Sequence, residues 1–257
     1  MNIFQKIYNY KELLKNNVKK EIRGRYKNSV LGVLWTFLNP LLQLAVYAFV
    51  FPLILRVTQE YYVIFVCVGL IPWTFFTVTV MQSASTIIAN GNIVKKVYFP
   101  REILPISVVT SATVNFLIST IIIVFFCILF GLGITRYILF YPIILIIQYI
   151  FQLGVAFILS SFTVYFRDLE HFVQIAIMVL FYATPIVYSG DSIPERFRFL
   201  LNLNPMVHII NAYRDIFYNQ IMPNLLHLGI LFLLSIIFCI IGYFVFKKLQ
   251  KGFAEEL

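Results

Sequence analysis

The side chains able to do chemistry gather in three short stretches: Arg23-Gly-Arg25-Tyr26-Lys27, Lys95-Lys96-Val97-Tyr98-Phe99-Pro-Arg101-Glu102 and Phe166-Arg167-Asp168-Leu-Glu170-His171. Guanidinium and ammonium groups suit phosphates and carboxylates by charge and, for arginine, by fork geometry. Asp168 and Glu170 stand close together, but a short turn holds them, where solvated charge or a partner contact is the default. His171, His208 and His227 are scattered and make no metal-ligand spacing. The phosphate cradle G-x-x-x-x-G-K-[ST] does not occur. No catalytic set, metal site or cofactor site is therefore expected on this chain. The expected chemistry is binding and movement, with the energy supplied from elsewhere.

Those stretches must be positioned by elements made for lipid. The 257 residues are 61% hydrophobic and only 12% charged, against about 25% charged in soluble domains. The apolar residues fall in long uncharged runs, which predicts an all-α integral membrane protein. Six spans are expected, at about 30–55, 61–88, 103–131, 138–165, 172–189 and 225–246, the fifth of marginal length. Their interiors carry no Asp, Glu, Lys or Arg. Ion- and proton-coupled carriers usually hold ionisable groups at that depth, so proton coupling has little to work with. Asn39-Pro40, Ile71-Pro72 and Thr184-Pro185 are expected to kink or break their helices. Cys67, Cys127 and Cys239 each sit inside an apolar run and read as small core residues.

Charge sets the orientation. Residues 1–28 hold eight Lys/Arg and two Glu, a local charge of +6 out of +9 for the chain. Beside a membrane span, such an excess points to anionic lipid, not to nucleic acid. With both termini cytoplasmic, the inner segments carry fifteen Lys/Arg and the outer ones five, which favours that topology. No cleavable signal peptide is expected.

Two further regions have their own logic. Apolar residues at Ile3, Ile7, Tyr10, Leu14, Val18, Ile22 and Tyr26 recur at helical spacing, so residues 1–28 are expected to form an amphipathic helix in the interface plane. Leu31 and Gly32 would be its hinge to the first span. The outer segment 190–224 is long yet apolar. Ser192 to Glu195 has the form of a capping box, Asn204-Pro205 looks like a second helix start, and Pro223 closes it. Two short re-entrant outer helices are expected there. Aromatic residues reach 18%, and Tyr47, Tyr149, Tyr182 and Tyr188 are candidates to line a channel where sugar rings stack.

The ordered set resembles a known family: R-x-R-Y-K-x-S-x-L-G-x-L-W, a first span with Asn-Pro, K-K-V-Y-F-P-R-E, F-R-D-L, T-P-I-V-Y and the outer N-P-M. It looks like the transmembrane permease subunit of type-2 ABC exporters for lipid-linked polysaccharides, which include O-antigen, teichoic acid and capsular polymer permeases. The resemblance covers nearly the whole chain. It implies a homodimer in the bacterial cytoplasmic membrane, with two copies of an ABC ATPase subunit that bind ATP and Mg. The load would be a polyprenyl-diphosphate-linked glycan, exported to the outer face; another load, such as a lipid or a drug, is the alternative. Lys95, Lys96, Val97, Tyr98, Phe99 and Arg101 would form the main ATPase-coupling loop, and Arg167, Asp168 and Glu170 the second contact. Residues 29–257 would be the six-span domain, with gate helices at about 190–224. Arg23, Arg25, Tyr26 and Lys27 lie at headgroup depth in this arrangement, where they would meet the carrier diphosphate.

Overall fold

A computed structural model describes residues 9–26, 29–55, 59–190 and 193–257. Every regular element among them is helical. Helix α1 (Lys11–Tyr26) leads to a 3-10 turn (Gly32–Leu34) and α2 (Trp35–Leu55). Then come α3 (Tyr62–Ala89), the short α4 (Gly91–Lys96) and α5 (Ile103–Leu129). A 3-10 turn (Arg136–Phe140) opens α6 (Tyr141–Tyr165), followed by α7 (Leu169–Ala183), α8 (Glu195–Leu203) and α9 (Pro205–Phe217). The long α10 (Leu225–Leu249), a 3-10 turn (Gln250–Gly252) and α11 (Phe253–Glu256) complete the chain.

Five of these stretches are long and apolar enough to cross a membrane: those built on α2, α3, α5, α6 and α10. The sixth apolar helix, α7, has 15 residues, about 22 Å at 1.5 Å per residue, short of a hydrocarbon core of about 30 Å. It starts earlier than expected and stops at Ala183 instead of residue 189. Pro185 has no N–H to extend the helix, so Thr184-Pro185 is a terminus, not a kink. By contrast, Pro40 and Pro52 lie inside α2 and Pro72 inside α3. Gln148 of α6 donates Nε2 to the Pro72 carbonyl at 3.0 Å, a neighbour's side chain bonding backbone beside the break.

Helix α3 forms the axis of the bundle. In its most apolar stretch 78% of residues are buried, against 11% for α2. Buried hydroxyls on these helices turn back onto their own backbone: Thr79 Oγ1 donates to the Phe75 carbonyl at 2.8 Å and Ser111 Oγ to Val108 at 2.9 Å. That satisfies polar groups where water is absent. Helices α6 and α10 meet backbone to backbone. A Cβ on Gly242 would fall 2.5 Å from the Gly154 carbonyl oxygen, and one on Gly154 3.0 Å from the Cys239 Cα. Small residues allow this approach, and dispersion between the two backbones holds it.

The outer segment departs from expectation in detail. Asn204 caps α9 by accepting the Met206 N–H at 3.0 Å, with Pro205 in the first turn. Helix α9 ends at Phe217, before Pro223, where Gln220 takes a positive φ of 55°. Ser192, Lys27 and residues 1–8 lie outside the described residues.

Candidate functional site

The three sequence stretches converge on one end of the bundle only in part. Asn90 ends α3, and Gly91 starts α4. Val94 turns inward and is 3% exposed, while Lys95 and Lys96 face solvent. After α4 the chain extends at Val97, which puts alternate side chains on opposite sides. Tyr98 therefore projects with 96% of its surface exposed, and Phe99 points inward at 8%. Within this first loop, Lys95, Lys96, Val97 and Tyr98 form the accessible set.

Phe99 and Arg101 face the molecule's own interior. Phe99 joins a compact apolar cluster with Ile87, Val94, Leu104, Phe157, Phe246 and Phe253. Arg101 Nη1 donates to the Gln250 carbonyl, and its guanidinium lies 5.8 Å from the Phe253 ring centroid. Glu102 is 3% exposed and paired with Lys247 of α10 at 3.5 Å. Aspartate at position 99 would put a charge into this cluster, so a substitution at Tyr98, unlike one at Phe99, leaves the packing intact.

The third stretch lies across the same end. Arg167 and Asp168 are exposed in the turn between α6 and α7, Glu170 is half-buried, and Phe166 and Phe172 expose 66% and 68% of their surface. Phe166, Arg167, Asp168 and Phe172 line a hollow of about 490 Å³. A second hollow, of about 480 Å³, lies beside Tyr98 between Tyr10, Arg101, Glu102, Gln250 and Lys251.

What joins the two loops is a segment that sequence reading missed. After α10 the chain bends, and the Phe253 ring is fully buried against Phe246 (5.6 Å between centroids) and Tyr165 (6.3 Å). Tyr165, at the end of α6, donates its hydroxyl to the Leu249 carbonyl at 2.7 Å. Gly252 passes so close that a Cβ would sit 2.5 Å from that hydroxyl oxygen. Leu257 packs over Gly91. Residues 249–257 thus touch both the 91–102 region and the end of α6. The only sequence signal was an isolated Phe after Gly beyond a lysine pair, which periodicity cannot interpret.

Helix α1 packs on α5 at this same end. Leu13, Leu14, Val18 and Ile22 are half-buried while Lys11, Lys15 and Lys19 are exposed. Lys20 Nζ reaches the Asn90 side chain at 2.9 Å. Arg23 is exposed, and Arg25 and Tyr26 lie on the last turn of α1. Gly32 has a φ of +48°, and Leu31 is 40% exposed. Ser29 Oγ accepts from the Gly32 N–H at 3.3 Å and from Trp35 Nε1 at 3.1 Å, so one hydroxyl holds the turn into α2.

The four candidate channel tyrosines do not form one row. Tyr47 stacks on Phe181 at 5.6 Å, Tyr182 lies against the same ring at 5.4 Å, and Tyr188 donates to the Tyr182 carbonyl at 2.6 Å. Tyr149 stands apart, its hydroxyl 3.1 Å from Thr110 Oγ1 between α5 and α6. Among the described residues no group of three or more His, Cys, Asp or Glu is placed to hold a metal.

The family model described as ABC-2 type transporter matches residues 12–218. An O-antigen export system permease protein, RfbA, of Klebsiella pneumoniae is 39% identical over 247 residues, covering 96% of this chain and 95% of that one. The protein of the same name from Myxococcus xanthus is 33% identical over 259 residues, covering all of both. A polysialic acid transport protein of Escherichia coli, KpsM, is 25% identical over 248 residues, covering 93% and 92%.

Proposed function

The chain belongs to the ABC-2 type transporter family, and from that premise we propose that it is the permease subunit of an ATP-driven polysaccharide exporter. Full-length similarity to O-antigen export permeases carries this reading. The load is a glycan on a polyprenyl diphosphate, moved across the bacterial cytoplasmic membrane with both chain termini inside.

The active unit is a homodimer with two ATPase subunits, which hold ATP and Mg. Two exposed apolar faces support the dimer. Leu42, Val46, Phe49 and Leu53 of α2 expose 57–70% of their surface, and Phe172, Ile175, Val179 and Tyr182 of α7 expose 57–68%. Six helices make a narrow conduit, and two-fold pairing doubles them around a seam. Lys95, Lys96, Val97 and Tyr98 enter the ATPase, and Phe166 to Glu170 make the second contact. Closure of the ATPase pair on ATP moves both contacts as one body. Arg23, with Arg25 and Lys27, meets the carrier diphosphate at the inner headgroup level.

The decisive experiment removes the protein and identifies what accumulates inside the cell. A lipid-linked glycan is the expected product, and its absence refutes the load. Tyr98→Asp is expected to insert normally yet lose ATPase copurification and export. Retained export in that variant refutes the docking assignment. Charge reversal at Arg23 and Arg25 is expected to stop export with assembly intact; a simple loss of assembly would return them to anchoring.

A further inference from the structure

At the end of the bundle away from α4, a cavity of about 450 Å³ opens between the start of α3, the turn after α7, and helices α8 and α9. Its polar lining is Gln59, Ser189, Asn211, Arg214, Asp215 and Asn219. None of these belongs to the docking end.

The cavity is built around Arg214. That side chain is only 5% exposed, its guanidinium lies 3.7 Å from the Phe65 ring centroid, and Nη2 donates to the Ile186 carbonyl at 2.9 Å. Gly69 leaves the room for it, since a Cβ there would stand 3.0 Å from Nη2. The buried Nε has no hydrogen-bond partner among the described residues, and a buried unmet donor is costly. Asn219 Nδ2 donates to Asp215 Oδ1 at 3.1 Å and so fixes the carboxyl group. Burial holds that carboxyl above its ordinary range, and the Asn219 hydrogen bond works against the rise. The side-chain amides of Gln59 and Asn211 make no hydrogen bond to another described residue.

Guanidinium, carboxyl and side-chain amides together both donate and accept. Adjacent sugar hydroxyls do the same, and each can be met twice. A phosphodiester carries no proton at neutral pH and only accepts; it would meet the Asp215 carboxyl and leave the amide oxygens unused. The volume lies within the roughly 300–1,000 Å³ usual for small-molecule sites. We propose that this cavity is a saccharide subsite, holding one or two sugar rings of the load where it passes the α8–α9 helices, with Gln59 and Asn211 bonding the hydroxyls and Arg214 and Asp215 fixing the ring orientation. The proposal rests on the polysaccharide-export reading.

The test uses the full chain with its ATPase in nanodiscs. The probe is the glycan of the source cells, freed from its lipid by mild acid, and saturation-transfer NMR reads its binding. The wild type is expected to saturate sugar protons. The double variant Gln59→Ala with Asn211→Ala should bind about tenfold more weakly, as two lost hydrogen bonds imply. These two residues sit outside the core, so folding does not hinge on them, as it does on Arg214. No transfer in the wild type, or equal transfer in both proteins, overturns the site. Accumulation of lipid-linked glycan in a deletion strain judges the export reading separately. With accumulation but no difference between the proteins, the site falls and export stands. Without accumulation both fall.

Discussion

Helix α2 and the α6–α10 pair are all apolar enough to cross a membrane, yet one is loosely held and the other locked. The contact between α6 and α10 relies on Gly154 and Gly242, which let two backbones touch. Helix α2 instead carries Leu42, Val46, Phe49 and Leu53 outward and two prolines within. In lipid, hydrophobicity does not tell a helix which neighbour to choose, because the solvent is as apolar as the side chains. Small residues and polar matches decide. The locked pair is the scaffold, and the loose helix is available to a second copy.

Gly242→Leu attacks the locked side and should have the largest effect. No rotamer accommodates a side chain whose first carbon already overlaps the Gly154 carbonyl. Folded yield, read by fluorescence-detected size exclusion in detergent, should fall to background; near-normal yield would show the contact to be looser than described. Next is Phe253→Ala. Removing a fully buried ring costs about 3–5 kcal/mol, and the protein should lose several degrees of thermal stability while Phe253→Leu recovers most of it. An unchanged melting temperature would detach the terminal segment from the two loops it contacts.

On the loose side, effects on stability should be small and effects on assembly large. Tyr98→Ala should leave the melting temperature unchanged, within about 0.5 kcal/mol as for other exposed positions, and reduce ATPase binding. Val46→Cys should leave the fold intact and form a disulfide between copies on mild oxidation, in a chain where Cys67 and Cys127 are buried. Monomer alone after oxidation would remove α2 from the proposed dimer seam.

The same contrast explains what the sequence disclosed. Long apolar runs are legible because each helix must satisfy its backbone internally, whatever its neighbours. The spans built on α2, α3, α5, α6 and α10 were therefore readable, and Asn204-Pro205 announced α9 by its cap. Partner choice was not readable. Gln148 and Gln152 repeat at four residues along α6 and both are fully buried, a polar signal that a search for charged residues passes over. Phe99 and Tyr98 look alike in sequence, and only the extended backbone after α4 sends them to opposite sides. Phe253 was silent because two of its contacts, Tyr165 and Arg101, come from distant parts of the chain. Arg214 read as an ordinary outer-loop charge, since nothing local reveals that Gly69 makes space for it.

The Glu102–Lys247 pair has a consequence for biogenesis. Its two members are 145 residues apart, and α10 leaves the ribosome after helices α1 to α9. Until it inserts, the Glu102 carboxylate has no cation, Arg101 has no Gln250 carbonyl, and the 97–102 turn lacks its floor. The end that carries Tyr98 is thus completed only after helices α1 to α9 have been made. An ATPase that recognises this end would bind finished permeases and pass over those still being made.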